Sequence, residues 1–247
     1  MQEKISTWIK DYAEKNGITS LVVGVSGGID SAVVSTLCAR TGLHTIAVSM
    51  PIRQRPDLHI LSLDHCTWLA NNYPNVRQEI INLTNTFDHF EEVMGNYSSE
   101  LGFANSRARL RMMCLYQIAQ SCNGIVVGTG NKVEDFGVGF FTKYGDGGVD
   151  ISPIADLMKS EVWHLGRELG VDQRIIEAAP TDGLWSDKRT DQDQLGGLDY
   201  YDLERAMIMD EQDVLPKTDD DAMLLYQYRK IRARNLHKMN PIPVFKK

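Results

Sequence analysis

Cysteine is scarce and unhelpfully spaced in this 247-residue chain. Cys38, Cys66, Cys114 and Cys122 make no C-x-x-C pair and no zinc spacing with histidine, which argues against a disulfide framework and against a metal cage. A reduced, cytoplasmic setting is the corresponding expectation. Long apolar runs are missing as well: no stretch approaches the ~18 residues of a membrane span, and Met1 leads into a polar amphipathic segment rather than a basic-then-apolar signal. The expectation is a soluble protein with no membrane partner. Positive charge is in deficit, since 26 Lys+Arg against 33 Asp+Glu leave a net charge of −7. That balance argues against nucleic acid as a partner, because nucleic-acid surfaces concentrate Lys and Arg on one face. Also absent is G-x-x-x-x-G-K-S/T, and with it the lysine that reaches a γ-phosphate in Walker loops.

What is present is ample apolar material, 43% of residues, enough for one α/β domain over 1–247. The chain is organised around Leu21-Val22-Val23-Gly24-Val25-Ser26-Gly27-Gly28-Ile29-Asp30-Ser31, a β-branched run that breaks into a glycine turn and then a helical pattern. A continuous apolar run reads as a buried parallel strand, and a glycine turn feeding a helix leaves backbone N–H groups pointing beyond the strand end. The helix N-terminus carries about half a positive charge, Ser26 and Ser31 add hydroxyls, and Gly27 and Gly28 let an anion approach the backbone. Asp30 would repel a phosphate unless a cation lies between them, so it reads as a Mg²⁺ ligand, with an ordinary first-turn acid as the plain alternative. Five fixed residues in this order arise by chance at roughly one position per million.

Strands and helices alternate along the rest of the chain. Ile5, Trp8, Ile9 and Tyr12 share a helical face that stops at Gly17; His44–Met50 reads as a second strand ended by Pro51; Leu58, Leu61, His65, Trp68 and Leu69 mark a helix; Val76–Ile81 reads as a third strand. This spacing predicts right-handed βαβ crossovers and a twisted parallel sheet with helices on both faces, an α/β Rossmann-like fold with ligands at the carboxyl ends of the strands. A long helix is predicted to open at Ala104, where Arg107, Arg109 and Arg111 cannot all share one face. Gly124–Gly130 repeats the design of the first strand and loop, offering Thr129 to a nucleotide and Glu134 or Asp135 to a metal. Phe140–Ile151, with three glycines, reads either as a ligand-facing loop or as a β-hairpin. Lys159 in the first turn of a predicted helix opposes the macrodipole, so an anionic partner is expected for it. Residues 182–197 have the composition of a mobile lid, and a helical C-terminal part is expected over 199–240.

The Ser26–Ser31 string resembles the Ser-Gly-Gly-x-Asp-Ser loop of the pyrophosphate-loop ATP pyrophosphatase superfamily, whose fold is adenine nucleotide alpha hydrolase-like. Ala108-Arg109-x-Arg111-Met112, Gly128-Thr129, Phe141–Gly148, Lys159, Pro180-Thr181 and His237-Lys238 together resemble one family in it, ammonia-dependent NAD synthetase. The resemblance implies condensation of deamido-NAD⁺ with ammonia, using ATP as co-substrate and Mg²⁺ as cofactor, to give NAD⁺, AMP and pyrophosphate through an adenylated intermediate. It implies ATP contacts from Gly24, Val25, Ser26, Gly27, Gly28, Ile29, Asp30, Ser31, Thr129, Lys159 and Thr181, with Asp30 and Lys159 catalytic. Deamido-NAD⁺ contacts are implied for Arg109, Lys143, Asp150, His237 and Lys238, and a homodimer with the dinucleotide across its boundary. Metal is implied at Asp30 and Glu134. Counting from Thr129 reaches Glu134, whereas counting back from Lys143 reaches Asp135, a mismatch of one residue; Glu134 is preferred. Free ammonia is expected as nitrogen donor, because no cysteine nucleophile is set up for a glutaminase step. Competing readings are a tRNA-modifying or GMP-synthetase-like pyrophosphatase, disfavoured by the acidity and by Phe141–Gly148, and a nucleotide-binding regulatory module, disfavoured by Asp30, Lys159 and Lys143.

Overall fold

The computed structural model describes residues 1–181, 183–185 and 189–247; Asp182 and residues 186–188, part of the expected lid, lie outside the described residues. Four strands, β1 (Ser20–Gly24), β2 (His44–Ser49), β3 (Val76–Ile80) and β4 (Gly124–Val126), form one sheet in the order β3-β2-β1-β4, and every pairing is parallel. The helices are α1 (Gln2–Lys15), α2 (Ile29–Arg40), α3 (Pro56–Asn72), α4 (Thr84–Val93), α5 (Glu100–Ser121), α6 (Lys159–Glu168), α7 (Gln173–Ile176), α8 (Asp191–Gln194), α9 (Tyr200–Glu211) and α10 (Asp219–Met239), with a wider π-helical turn at Lys132–Val138.

Side chains of the strands alternate between two cores, as the period of two demands. Leu21 and Val23 of β1 and Ile125 of β4 pack with residues of α1, α2 and α6 on one face, and Ala47 of β2 meets Cys66 and Leu69 of α3 there. Val22, Ile46, Val48 and Val126 face the other way, onto Phe87 of α4 and Met112, Leu115 and Ala119 of α5. A separate apolar cluster joins Val133 and Val138 of the π-turn to Leu195, Leu203 and Met207, and to Leu224 and Tyr228 of α10. The chain runs outward from β1 to β3 and then returns to place β4 on the opposite side of β1. This reversal opens a crevice at the carboxyl ends of β1 and β4.

Three expectations need correction. The long helix starts at Glu100 rather than Ala104, because Ser99 Oγ caps it by accepting from Gly102 N at 3.2 Å. Helix α4 was not foreseen, since Phe87 is its one buried side chain and leaves little periodicity to read. Residues 140–151 form no hairpin: Thr142–Gly148 is a series of tight turns, and Ile151 pairs in parallel with Val127.

His65 of α3 sits buried against α2. Ser35 Oγ is committed as a donor to Ser31 O at 2.7 Å, so it accepts from His65 Nε2 at 3.1 Å, and the ring stacks on Trp68 with centroids 5.5 Å apart. Burial pushes the imidazole pKa from 6.5 down to about 4. Between those values the unfolded chain binds a proton that the folded one does not, so stability falls as pH drops through this window, by at most about 3 kcal/mol. Urea unfolding of wild type and His65→Gln at pH 7 and pH 4.5 is expected to show the steeper loss in wild type. Equal losses would contradict the assignment.

Candidate active site

The glycine turn between β1 and α2 is shaped by two different demands. Gly27 has φ +93, and a Cβ there would lie 2.6 Å from Leu58 O of α3, so both its conformation and its packing require glycine. Gly28 has ordinary extended geometry, and a Cβ would meet nothing closer than Ser26 Oγ at 3.4 Å. The fold does not need glycine there; the open face of the loop does. No side chain caps α2 at Gly28, which leaves the first-turn N–H groups to the crevice. Both serine hydroxyls are used inside the loop: Ser31 Oγ donates to Gly28 O at 2.9 Å and accepts from Ser26 N at 3.1 Å, while Gly28 N donates to Ser26 Oγ at 3.2 Å. They hold the turn in shape.

The loop faces a cleft of about 260 Å³ lined by Gly24–Ser31, Thr129, Glu134, Asp135, Lys159 and Thr181. Every residue that the sequence assigns to the nucleotide therefore reaches one cavity. At its base the Lys159 ammonium, 2% exposed, donates to Asp30 Oδ2 at 2.6 Å and to Glu134 Oε1 at 2.8 Å. Its expected anionic partners are thus supplied by the protein itself. Burial works against that ammonium, but the two carboxylates outweigh it and hold its pKa above the usual lysine value. The two acids differ. Burial and the Glu134 charge push Asp30 up despite Lys159, whereas burial of Glu134 is overcome by Lys159 and by the Tyr200 hydroxyl, which keep it ionised. One ammonium therefore serves two carboxylates of unequal acidity.

Asn131, which is fully buried, ties this trio to the backbone: its Nδ2 donates to Asp30 Oδ1 at 3.1 Å and its Oδ1 accepts from Glu134 N at 3.0 Å. Asn131 precedes the π-turn, and a turn of this width is the form an additional residue takes inside a helix. Glu134 reaches Lys159, while Asp135 folds over Gly130, where a Cβ would sit 1.9 Å from its Oδ2. Burial and the nearby Asp146, Glu134 and Asp30 charges raise the Asp135 pKa well above the usual carboxylate value.

The residues assigned to the dinucleotide do not line this cleft. Four of them gather around the Phe141–Lys143 loop instead. Arg109 Nε donates to Lys143 O at 3.2 Å, Lys143 Nζ to His237 O at 3.5 Å, and Lys238 Nζ to Phe141 O at 2.8 Å. Asp150 stands apart, accepting from Val126 N at 2.7 Å and Tyr116 Oη at 3.0 Å. The three arginines of α5 diverge as their spacing predicts: Arg107 donates to Leu184 O, Arg109 points outward, and Arg111 Nε donates to Met50 O at 3.0 Å. Of the expected lid, Asp191 and Leu195 are buried, and Gly183 and Leu184 edge the cleft.

Sequence reasoning missed Asn131 and Tyr200. An asparagine three residues ahead of Glu134 at a helix start was a readable capping signal. Tyr200 gives no signal for the site, because its contact with Glu134 is long-range: its hydroxyl meets Glu134 Oε1 at 2.6 Å, and also Asp191 Oδ2 at 2.9 Å.

Known proteins share both the sequence pattern and the fold of this chain. The family model described as NAD synthase matches residues 1–242. An NH(3)-dependent NAD(+) synthetase from Alkaliphilus metalliredigens is 42% identical over 204 residues, 78% of this chain and 80% of that protein. The structure of an NMN synthetase from Francisella tularensis superposes with a TM-score of 0.87 at 31% identity, covering 100% of this chain and 97% of that one. An NH3-dependent NAD synthetase from Campylobacter jejuni gives a TM-score of 0.79 at 25% identity, with 99% and 97% coverage.

The two loop glycines should separate under substitution. Gly27→Ala is expected to cost about 1–3 kcal/mol of stability through strain and contact with Leu58 O. Gly28→Ala is expected to melt like wild type while binding ATP at least ~10-fold more weakly, as read by calorimetry. Equal stability of the two variants would refute this division.

Proposed function

The chain belongs to the NAD synthase family, and on that premise we propose that it amidates deamido-NAD⁺ with ammonia, using ATP and releasing AMP and pyrophosphate through an adenylated intermediate. The observation that carries this reading is the Asp30–Lys159–Glu134 trio, set against the glycine loop in one cleft. A carboxylate is a poor acyl donor until one of its oxygens is converted into a leaving group. Its oxygen attacks the α-phosphorus of ATP, the bond to the β-phosphate bridge breaks, and pyrophosphate departs. Ammonia then attacks the acyl carbon, AMP leaves with the former carboxylate oxygen, and the amide nitrogen loses a proton. Lys159 and the first-turn N–H groups of α2 are aimed at the charge that grows on pyrophosphate, an electrostatic effect worth several kcal/mol in comparable sites.

Two enclosed carboxylates that converge on one point of the cleft offer the oxygen ligands of a hard divalent cation that completes its shell with phosphate oxygens. Asp30 and Glu134 would hold Mg²⁺, whose contribution when bound is Lewis-acid shielding of phosphate charge. Thr129 and Thr181 flank the nucleotide. The basic group formed by Arg109, Lys143, His237 and Lys238 lies outside the cleft. A dinucleotide that spans a homodimer boundary gives such a group its anionic partner, and the reading includes that dimer, in the cytoplasm. Asp150, with both oxygens accepting within the protein, acts on the dinucleotide through the loop it anchors.

A second reading is favoured by the likeness to the Francisella tularensis NMN synthetase: amidation of the mononucleotide to give NMN. The chemistry at the carboxylate is identical, and only the far end of the substrate differs. Protein, Mg²⁺, ATP and ammonium are therefore offered deamido-NAD⁺ or nicotinate mononucleotide, and amide products are separated by chromatography. NAD⁺ is expected as the favoured product; faster NMN formation selects the second reading, and no amide from either overturns both. Asp30→Asn should lower turnover at least ~1,000-fold with the fold retained. Lys143→Ala should raise the KM for deamido-NAD⁺ about 10-fold and leave that for ATP unchanged; parallel loss of both would refute its role.

A further inference from the structure

The carboxylate of Glu134 is held from a part of the chain remote from the glycine loop. Tyr200, the first residue of α9, is 7% exposed, and its hydroxyl proton is shared between Glu134 Oε1 at 2.6 Å and Asp191 Oδ2 at 2.9 Å. The face of the same ring lies 4.6 Å from the Lys159 ammonium, and Trp163 of α6 meets it edge-on with centroids 5.9 Å apart. One aromatic side chain thus touches two members of the ion trio by two different means.

The backbone around Glu134 is clamped by the same helical unit. Val133 and Val138 pack on Leu203, Met207 and Tyr228, Asn235 Nδ2 donates to Val138 O at 2.8 Å, and Arg232 Nη1 donates to Gly137 O. A π-turn is a rare form of backbone that is found frequently at functional sites. We propose that Tyr200 is a positioning residue for the nucleotide-cleaving step, orienting the Glu134 carboxylate toward a phosphate-bound divalent cation while its ring fixes the Lys159 ammonium. It acts through Glu134 and Lys159 and touches no reacting atom. The inference rests on the ATP-dependent reading above.

Outer partners of metal-binding carboxylates are worth about 10- to 100-fold in affinity or activity when removed. Tyr200→Phe keeps the ring and deletes the hydroxyl. At saturating ATP, its half-saturating Mg²⁺ concentration is expected to rise about 10-fold and kcat to fall by a similar factor, with the KM for ammonium unchanged. Direct Mn²⁺ binding with ATP but no acceptor, followed by electron paramagnetic resonance, is expected to weaken in parallel. That readout does not depend on which products form, so failure of this proposal is distinguishable from failure of the proposed reaction. Trp163→Phe is the companion variant, disturbing the packing of the ring without removing the hydroxyl. It is expected to lower the melting temperature and leave the Mg²⁺ and Mn²⁺ dependence as in wild type. Wild-type metal dependence in Tyr200→Phe overturns the proposal. So does a shift in Trp163→Phe as large as that in Tyr200→Phe, and Trp163→Phe alone decides if Tyr200→Phe does not fold.

Discussion

A lysine ammonium buried between two carboxylates is the interaction on which the rest of this structure depends. Lys159 opens α6, where a cation is opposed by the helix dipole, and it is 2% exposed. Such a charge persists in a protein interior only when paired and hydrogen-bonded, and removing one partner of a buried pair costs about 3–5 kcal/mol. Asp30 and Glu134 supply that pairing from two different segments, the first turn of α2 after β1 and the π-turn after β4. The pair of strands flanking the sheet reversal is thereby stapled together at its carboxyl end, where the fold opens its crevice.

From that staple the division of labour among the elements follows. The loop after β1 provides main-chain donors and is kept in shape by its own serines and by the close approach of α3 at Gly27. The segment after β4 provides Glu134 from a π-turn that the C-terminal helices hold in place. Helix α6 provides the cation. Removing Lys159 would leave two enclosed carboxylates without a cation, and removing either acid would strip the ammonium of one of its two partners, so the charge pattern of the cleft is built into the fold before any ligand arrives.

The parts of this design that were legible in the sequence are those written in local pattern. The apolar run of β1, the glycine turn and Asp30 could be read together because one strand-turn-helix unit carries them all, and Lys159 could be singled out because its charge is wrong for its place in a helix. Arg107, Arg109 and Arg111 were rightly separated by helical geometry, but their individual destinations, Leu184, Lys143 and Met50, are set by tertiary packing. Helix α4 was invisible because a single buried phenylalanine makes no period. The π-turn that carries Glu134 left no pattern that could be read in the sequence. Tyr200 could not be found at all, since its contact with Glu134 spans 66 positions.

On the reading proposed above, the cleft carries out chemistry at the phosphorus nearest the nucleoside, with the two outer phosphates leaving together toward the loop and Lys159. The most direct test is isotopic. Substrate labelled with ¹⁸O in its nicotinate carboxylate is turned over with ATP and ammonium, and the phosphorus products are analysed by mass spectrometry. The account predicts one ¹⁸O in the phosphate of AMP and none in pyrophosphate. Label recovered in orthophosphate, with ADP as co-product, would contradict it.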